Sequence, residues 1–369
     1  MASWEGKVAT LRERYQTGAE DLTIRNRLAL KWLESRGRIV TNCSAEYTNE
    51  SVQKAEPPVE AHGEAGVIDF ARHNLWDQAR MGWRGYVATD LMYEQEKMEA
   101  KGDVVLVNRY AKIMDHLTKG LRNQIHNDLY INGGASGNTL KIEGLQTALN
   151  STTSTTAAAD KYAGNTGTYR NISTIPFQEG SWSSDLTTSP NTSYAVDWPD
   201  GTGNSECDYW TGKLVKTNGT GWGTGSGSWE EECESILSEV NVTMHNLANT
   251  TGSELVFISD GRMNTQFKAK MRARNYHLMP LKSAVDLGFP EVLSYEGLGI
   301  HYEYGIDANR GFIWNFEHTE LCSLAPSLLF SRGPDYAMEL LAWRFLIGFY
   351  GNLKISPKFF AHFYPFATT

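Results

Sequence analysis

The stretch from Asp103 to Ile131, DVVLVNRYAKIMDHLTKGLRNQIHNDLYI, constrains the chain more than any other. Leu106, Tyr110, Ile113, Leu117, Leu121, Ile125 and Leu129 recur at steps of three and four, which puts one apolar stripe on one face of a helix. Arg109, Lys112, Asp115, Lys119, Arg122 and Asn123 take the opposite face. Gly102 and Asp103 mark the start, since a carboxylate there accepts the orphan N–H groups of the first turn. Asn132-Gly133-Gly134 mark the end, as residues that tolerate the left-handed conformation closing a helix. At about 1.5 Å per residue the helix is on the order of 40 Å long, a rod for other elements to lean on.

Before this rod the chain reads as arms. Residues 1–37 form an N-terminal arm, with a short helix at 7–15 and a better marked one at 20–36, where Ile24, Leu28 and Trp32 step by four and Gly37 stops it. Its cations Arg25, Arg27, Lys31 and Arg36 are diluted by Glu20, Asp21 and Glu34, so they read as a solvated face rather than a nucleic-acid contact. Residues 38–92 form a long two-stranded excursion: Arg38-Ile39-Val40 opens a strand, Asn42–Gly66 is polar around Pro57-Pro58, and aromatics return at Phe70, Trp76, Trp83 and Tyr86. A hairpin alone is marginal in water, so one this long implies a neighbouring subunit to lie on.

After the rod comes a domain laid against it. Ile142-Glu143-Gly144-Leu145-Gln146 opens it, and in 150–227 more than half the residues are Ser, Thr, Gly or Asn. Trp182, Tyr194, Trp198, Tyr209, Trp210 and Trp222 are scattered there, which a pure linker does not need, so the segment reads as an ordered, loop-rich insertion. A second helix runs from Trp229 to Ala248, with Ser228 and Glu231 as a capping box. Leu255–Ser259 is a buried strand, 260–262 a turn and 264–275 a helix, which together make an α/β layer. Strands follow at 298–304, 311–318 and 338–347, and an aromatic strand at 358–366.

Over 369 residues, enough for two or three cores, hydrophobic content is 41% and charged content 21%, as in a globular chain. The net charge of -9 argues against a basic stripe for phosphates. The first twenty residues lack the apolar core of a secretory signal, and the apolar run at 340–350 is too short to span a bilayer and contains Arg344, so no membrane partner is expected. Cys43, Cys207, Cys233 and Cys322 form no C-x-x-C and read as free thiols. The N-x-S/T sequons, as at Asn42 and Asn171, read as composition rather than glycosylation.

The order of parts resembles the major capsid protein of tailed double-stranded DNA bacteriophages, the Hong Kong 97-like fold. Leu129–Gly133 followed by Ile142–Gln146 resembles that family's spine-helix exit, Trp222–Trp229 the lead-in to its A-domain helix, and Asp286–Phe289 with Gly311–Asn315 the return into its P-domain sheet. The resemblance implies an α+β chain divided into an N-terminal arm (1–37), an extended loop (38–92), the spine helix of a P-domain (93–134), an A-domain (135–289) with the insertion 150–227, and P-domain strands with C-terminal strands returning to the A-domain (290–369). It implies a structural protein whose copies make hexamers and pentamers of an icosahedral head around DNA, in the virion after assembly in a host bacterial cytoplasm. Separate scaffolding, portal and decoration proteins are the expected partners, the scaffolding protein because no long scaffolding-like segment precedes the arm. Some shells of the family join loop to neighbour by a self-catalysed Lys–Asn bond. Lys54 with Asn309 or Asn315 would be the pair, but such a bond needs a buried carboxylate and close approach that the sequence does not display.

No catalytic, cofactor-binding or metal-ligating residue is assigned. The sequence has no G-x-S-x-G, no G-x-x-x-x-G-K-[ST] and no H-E-x-x-H. Gly133–Gly137 follows a helix rather than a strand, and Glu230–Glu232 repel an anion from the helix after Gly219–Gly227. His301 and His318 alternate with apolar residues, as structural histidines facing across a sheet would. The alternatives are an encapsulin-like cellular shell, which shares the fold, and a carbohydrate-binding adhesin or fibre, for which the spine helix is the wrong element.

Overall fold

The computed structural model describes residues 27–44, 46, 48–53, 61, 76–99, 103–135, 137–149, 168–173, 210, 212–215, 229–248, 254–273 and 293–363. The spine is helix α3, Asp103–Asp128. Before it come α1 (Leu28–Ser35), β1 (Ile39–Val40), β2 (Thr48–Gln53), β3 (Trp76–Met81), β4 (Arg84–Tyr93) and the short α2 (Glu94–Glu99). After it come α4 (Leu145–Ala148), β5 (Thr168–Tyr169), β6 (Ile172–Ser173), β7 (Lys213–Val215), α5 (Trp229–Ala248), β8 (Leu255–Ser259) and α6 (Gly261–Ala273). The remainder is strand: β9 (Leu293–Tyr295), β10 (Leu298–Tyr302), β11 (Gly311–Asn315), β12 (Thr319–Ser323), β13 (Phe330–Ala337), β14 (Ala342–Ile355) and β15 (Ala361–Phe363).

Two sheets carry the core. One runs β1-β12-β14-β13, with β4 on the other flank of β14. The inner face of β4 and β14 (Tyr86, Ala88, Ile347, Phe349) packs on a core shared with the spine's Leu121, Ile125 and Leu129 and with Leu28–Leu33 of α1. The other sheet runs β7-β15-β11-β8-β10-β9. Its strand β8 is buried on both faces. Leu255 and Phe257 face a second core with Trp229, Ile236 and Val240 of α5 and Phe267 of α6, while Val256 and Ile258 face the first. The six-stranded sheet is therefore the middle layer between two helices and the spine exit.

Several sequence expectations need correction. The strands at 298–304 and 311–318 are not in the sheet of the spine: β10 pairs parallel with β8 and β11 pairs antiparallel with it, so Gly311–Asn315 belongs to the α/β layer. The chain crosses to the five-stranded sheet only at β12. Residues 84–92 are not part of the free excursion, because β4 pairs with β14 over ten positions. The strand at 338–347 begins at Ala342, after a turn that joins it to β13. The turn at 260–262 is the start of α6, with the Asp260 carboxylate accepting from Met263 N at 3.1 Å and from Arg262 N. The aromatic C-terminal strand is a 3-10 turn (Pro357–Phe359) followed by β15.

The glycines after the spine also act differently from expectation. Neither Gly133 nor Gly134 has a positive φ; Gly137 does, at 90°. The helix ends by tightening, with Leu129 N donating to both Ile125 O and His126 O. Gly133 is required for space, since a Cβ there would sit 2.5 Å from Ile142 O. The helix at 7–15, Ser228 of the capping box, and Trp182, Tyr194, Trp198, Tyr209 and Trp222 lie outside the described residues. Trp210 of the insertion is buried and its Nε1 donates to Tyr169 O at 3.2 Å.

Candidate assembly surfaces

The sequence assigns no catalytic residue, and the features of the described residues that bear on function are surfaces. The first is the hairpin β2–β3, whose six cross-strand pairs run from Thr48↔Met81 to Gln53↔Trp76. Its burial alternates along each strand, and Trp76 at the outer end is 58% exposed. Two networks hold its foot. In one, Glu50 of β2 accepts from Arg170 Nη2 at 2.8 Å and pairs with Lys354 Nζ at 3.3 Å, while Lys354 also bonds Glu320 at 2.9 Å. Burial alone would raise the Glu50 carboxyl, but Arg170 and Lys354 together hold it below its usual range. Arg170 and Asn171 stand at φ 52° and 67° in the two-residue turn between β5 and β6, the twist such a turn needs. The turn also reaches the hairpin's other strand: Arg170 O accepts from Arg80 N at 2.8 Å.

In the second network the corner between β3 and β4 is tied to the spine exit. Tyr86 donates from its hydroxyl to Asp128 at 2.9 Å and accepts from Ile142 N at 2.7 Å. Burial and the Asp128 charge keep that phenol protonated. Arg84 pairs with Glu143 at 3.2 Å, and Asn352 accepts from Glu143 N and donates to Gly82 O, both at 2.9 Å. The hairpin is thus fixed to the spine and to β14, with Ala79 in the first core and Val52 packed against it.

The second candidate is the outer face of the five-stranded sheet. Val87, Leu91 and Tyr93 of β4 point away from the spine and are 52%, 40% and 48% exposed. Tyr350 joins them across the sheet, where Gly85 leaves room for its ring, and it stacks on Phe330 at 5.1 Å. The turn before β14 adds the exposed Met338, Leu340 and Leu341. Thr89 and the exposed Arg344, the cross-strand partner of Leu91, are interspersed among them, so the face mixes exposed apolar groups with polar ones, a composition suited to an interaction surface.

Where the arm enters, Glu303 does the work of a helix cap. The N-cap residue Arg27 makes no side-chain cap bond, and Glu303 Oε2 accepts from Leu28 N at 3.1 Å instead. His126 Nε2 of the spine lies 3.1 Å from Glu303 Oε1, off the line of a good hydrogen bond, and both side chains are buried. Glu303→Gln keeps one acceptor oxygen but loses the charge. The expected cost is about 1–2 kcal/mol in denaturant unfolding, since charge-assisted bonds are roughly twice as strong as neutral ones. Hydrogen exchange should quicken at the α1 amides before those of the spine; equal acceleration in both would show that Glu303 does not secure the arm.

The singled-out histidines do not face one another. His301 meets Trp32 edge-on at 4.7 Å, while His318, in the turn before β12, stacks on Phe359 at 3.9 Å. Burial, with Arg36 nearby, pushes His301 down to about 4. Burial also lowers His318. No group of three or more His, Cys, Asp or Glu able to hold a metal occurs among the described residues. No helix among them is long and apolar enough to cross a membrane. Lys54 lies outside the described residues. Asn315 is fully buried, with its Oδ1 accepting from Glu317 N, and Asn309 donates its backbone N–H to Asp260 in the α6 cap.

No family model matches the sequence, and no curated protein matches it. Solved structures do. The chain is similar to one in the cyanophage A-1(L) capsid asymmetric unit, at 13% identity, with 98% of each chain covered and a TM-score of 0.62. It is similar to a chain in the capsid of an empty GTA particle, at 9% identity, 98% of each chain and a TM-score of 0.57. It is also similar to a chain of the holo-SrpI encapsulin complex from Synechococcus elongatus PCC 7942, at 9% identity, 100% of this chain and 99% of that one, with a TM-score of 0.50. At these identities the likeness establishes fold: this is an α+β chain of the Hong Kong 97-like capsid architecture.

Proposed function

We propose that this chain is the major capsid protein of a tailed double-stranded DNA bacteriophage, a structural protein and not an enzyme. The observation that carries the reading is a capsid fold along the whole chain, with a β2–β3 hairpin anchored through Arg170, Lys354 and the spine exit. A six-pair hairpin is not stable on its own merits. In this reading the hairpin of one copy lies on the next, and the outer face at Val87, Leu91, Tyr93 and Tyr350 is covered by a neighbour. The spine with the five-stranded sheet is the P-domain, and the six-stranded sheet with α5 and α6 is the A-domain. Copies form hexamers and pentamers around DNA held by confinement, since a chain of net charge -9 offers little to phosphates. Scaffolding, portal and decoration proteins are separate partners, and assembly takes place in the bacterial cytoplasm before the protein resides in the virion.

A second reading, a cellular encapsulin-like compartment, is favoured by the similarity to an encapsulin chain over the full length. Electron microscopy of the purified recombinant protein after size exclusion separates the two. Closed shells or flat hexamer sheets are expected, with nucleic acid inside for the phage reading and protein cargo for the compartment. A monomer at every concentration and salt, persisting on co-expression with candidate scaffolds, overturns both.

A further inference from the structure

The chain enters its long excursion just past β1, and its pairing with β12 there is short. β1 pairs with β12 at only two positions, Ile39↔Leu321 and Val40↔Cys322. Past the strand, Asn42 takes φ 60°, a conformation asparagine tolerates, and turns the chain back along β12. Asn42 N then donates to Ala325 O at 2.9 Å and Cys43 N to Ser323 O at 3.0 Å. This fold-back sets Cys43 against Cys322: Cys43 N bonds the carbonyl of the residue after Cys322, and Cys43 Sγ lies 3.8 Å from the carbonyl oxygen of Val40, the residue in register with Cys322. Both thiols are free, Cys43 half-buried and Cys322 buried. Val40 is the residue of β1 in register with Cys322, and the turn at Asn42 brings Cys43 back against the same stretch of β12, the adjacency that a disulfide requires.

We propose that Cys43 and Cys322 are an intrachain disulfide site, which closes in the presence of a small-molecule disulfide oxidant and staples the base of the excursion to β12. The more accessible Cys43 reacts first. Its thiolate attacks one sulfur of the oxidant, forming a mixed disulfide and expelling one thiolate, which takes up a proton. Cys322 then gives up its proton, and its sulfur attacks Cys43 Sγ, forming the Cys43–Cys322 bond and expelling the second thiol. Two protein thiols are oxidised and one external disulfide is reduced to two thiols. Burial pushes the Cys322 thiol up to about 12, so the second step is the slow one and quickens as pH rises. The bond depends only on the fold of one copy and not on the shell reading.

The test is to incubate the full-length reduced protein with glutathione disulfide, alkylate the remaining thiols and map peptides by mass spectrometry. A Cys43–Cys322 linked peptide is expected in the wild type and in Cys233→Ser, and it should be absent in Cys43→Ser and Cys322→Ser. A transient glutathione adduct should appear on Cys43 and vanish faster at higher pH. In Cys322→Ser that adduct should persist. A stable adduct on Cys43 in the wild type, a bridge to Cys207 or Cys233 instead, or no oxidation of Cys322 at any pH would each overturn the proposal. Because the wild-type map is read directly, misfolding of a variant does not blunt the test.

Discussion

Replacing Gly144 with alanine is expected to cost about 3 kcal/mol or more of folding stability, the upper end of overpacking penalties. A Cβ at this position would lie 2.5 Å from Asp128 O and 2.7 Å from both Ile131 O and Leu129 O. All three are backbone atoms of the spine exit, so no side chain can swing aside. The backbone angles of Gly144 are ordinary for any residue, φ -72° and ψ -176°, which makes space and not torsion the requirement. Leu145 N donates to Leu129 O at 2.8 Å across the same contact, so a shift of the chain also breaks a buried bond that docks α4 on the spine. The control is Gly120→Ala, in the exposed part of the spine with nothing within 4 Å of its Cβ. There the exchange is expected to add up to about 1 kcal/mol through helix propensity. Chemical denaturation followed by circular dichroism reads both. If the two variants unfold at the same midpoint, the spine exit is not packed on Gly144.

The contrast between those two glycines shows what the sequence discloses. The spine was legible because its stripe repeats over seven turns, and the exit because a glycine pattern follows it. What each glycine is for was not, since the carbonyls it admits come from elsewhere in the chain. Strand-to-sheet assignment failed for a related reason. Gly311–Asn315 is buried at every position, so it has no alternation to say which sheet it serves. Its partner β8 is likewise buried throughout. The pairings β1–β12 and β4–β14 join residues more than two hundred positions apart, and no local signal encodes them. The outer sheet face did leave a trace. In β4, Val87, Leu91 and Tyr93 share the face opposite Tyr86, Ala88 and Met92, with Thr89 interrupting the one face and Asp90 the other, so apolar residues occur on both sides of the strand. Glu303 and His126 gave little warning, because a buried charge beside an apolar stripe looks like the stripe's polar margin.

Buried histidines set a second large effect, on acid stability. His362 lies in β15, stacked on Phe312 at 4.7 Å, with Nδ1 3.1 Å from Leu149 O. Burial, reinforced by Arg310, pushes it from 6.5 down to about 3. His301 falls to about 4 by burial beside Trp32 and Arg36. Both are held neutral in the folded chain, whereas the unfolded chain takes up a proton at each near 6.5. Between those limits the unfolded state binds more protons, so stability rises with pH there. The contribution is fully present above 6.5 and is lost progressively as pH falls toward 4 and then 3. At 1.36 kcal/mol per unit, the pair is expected to remove on the order of 5 kcal/mol by about pH 4. Glu50, held low by Arg170, works in the same direction below its unfolded value, while Glu143, raised by burial, works against it. Denaturant midpoints taken from pH 8 to pH 4 should therefore fall steeply below about pH 6.5, the unperturbed histidine value. His362→Gln removes the titrating group while keeping a neutral amide near Leu149 O. It should be less stable than wild type at pH 8 yet lose much less on acidification, so that the two curves converge. Parallel curves would mean that His362 is not the buried neutral group that makes this fold acid-labile.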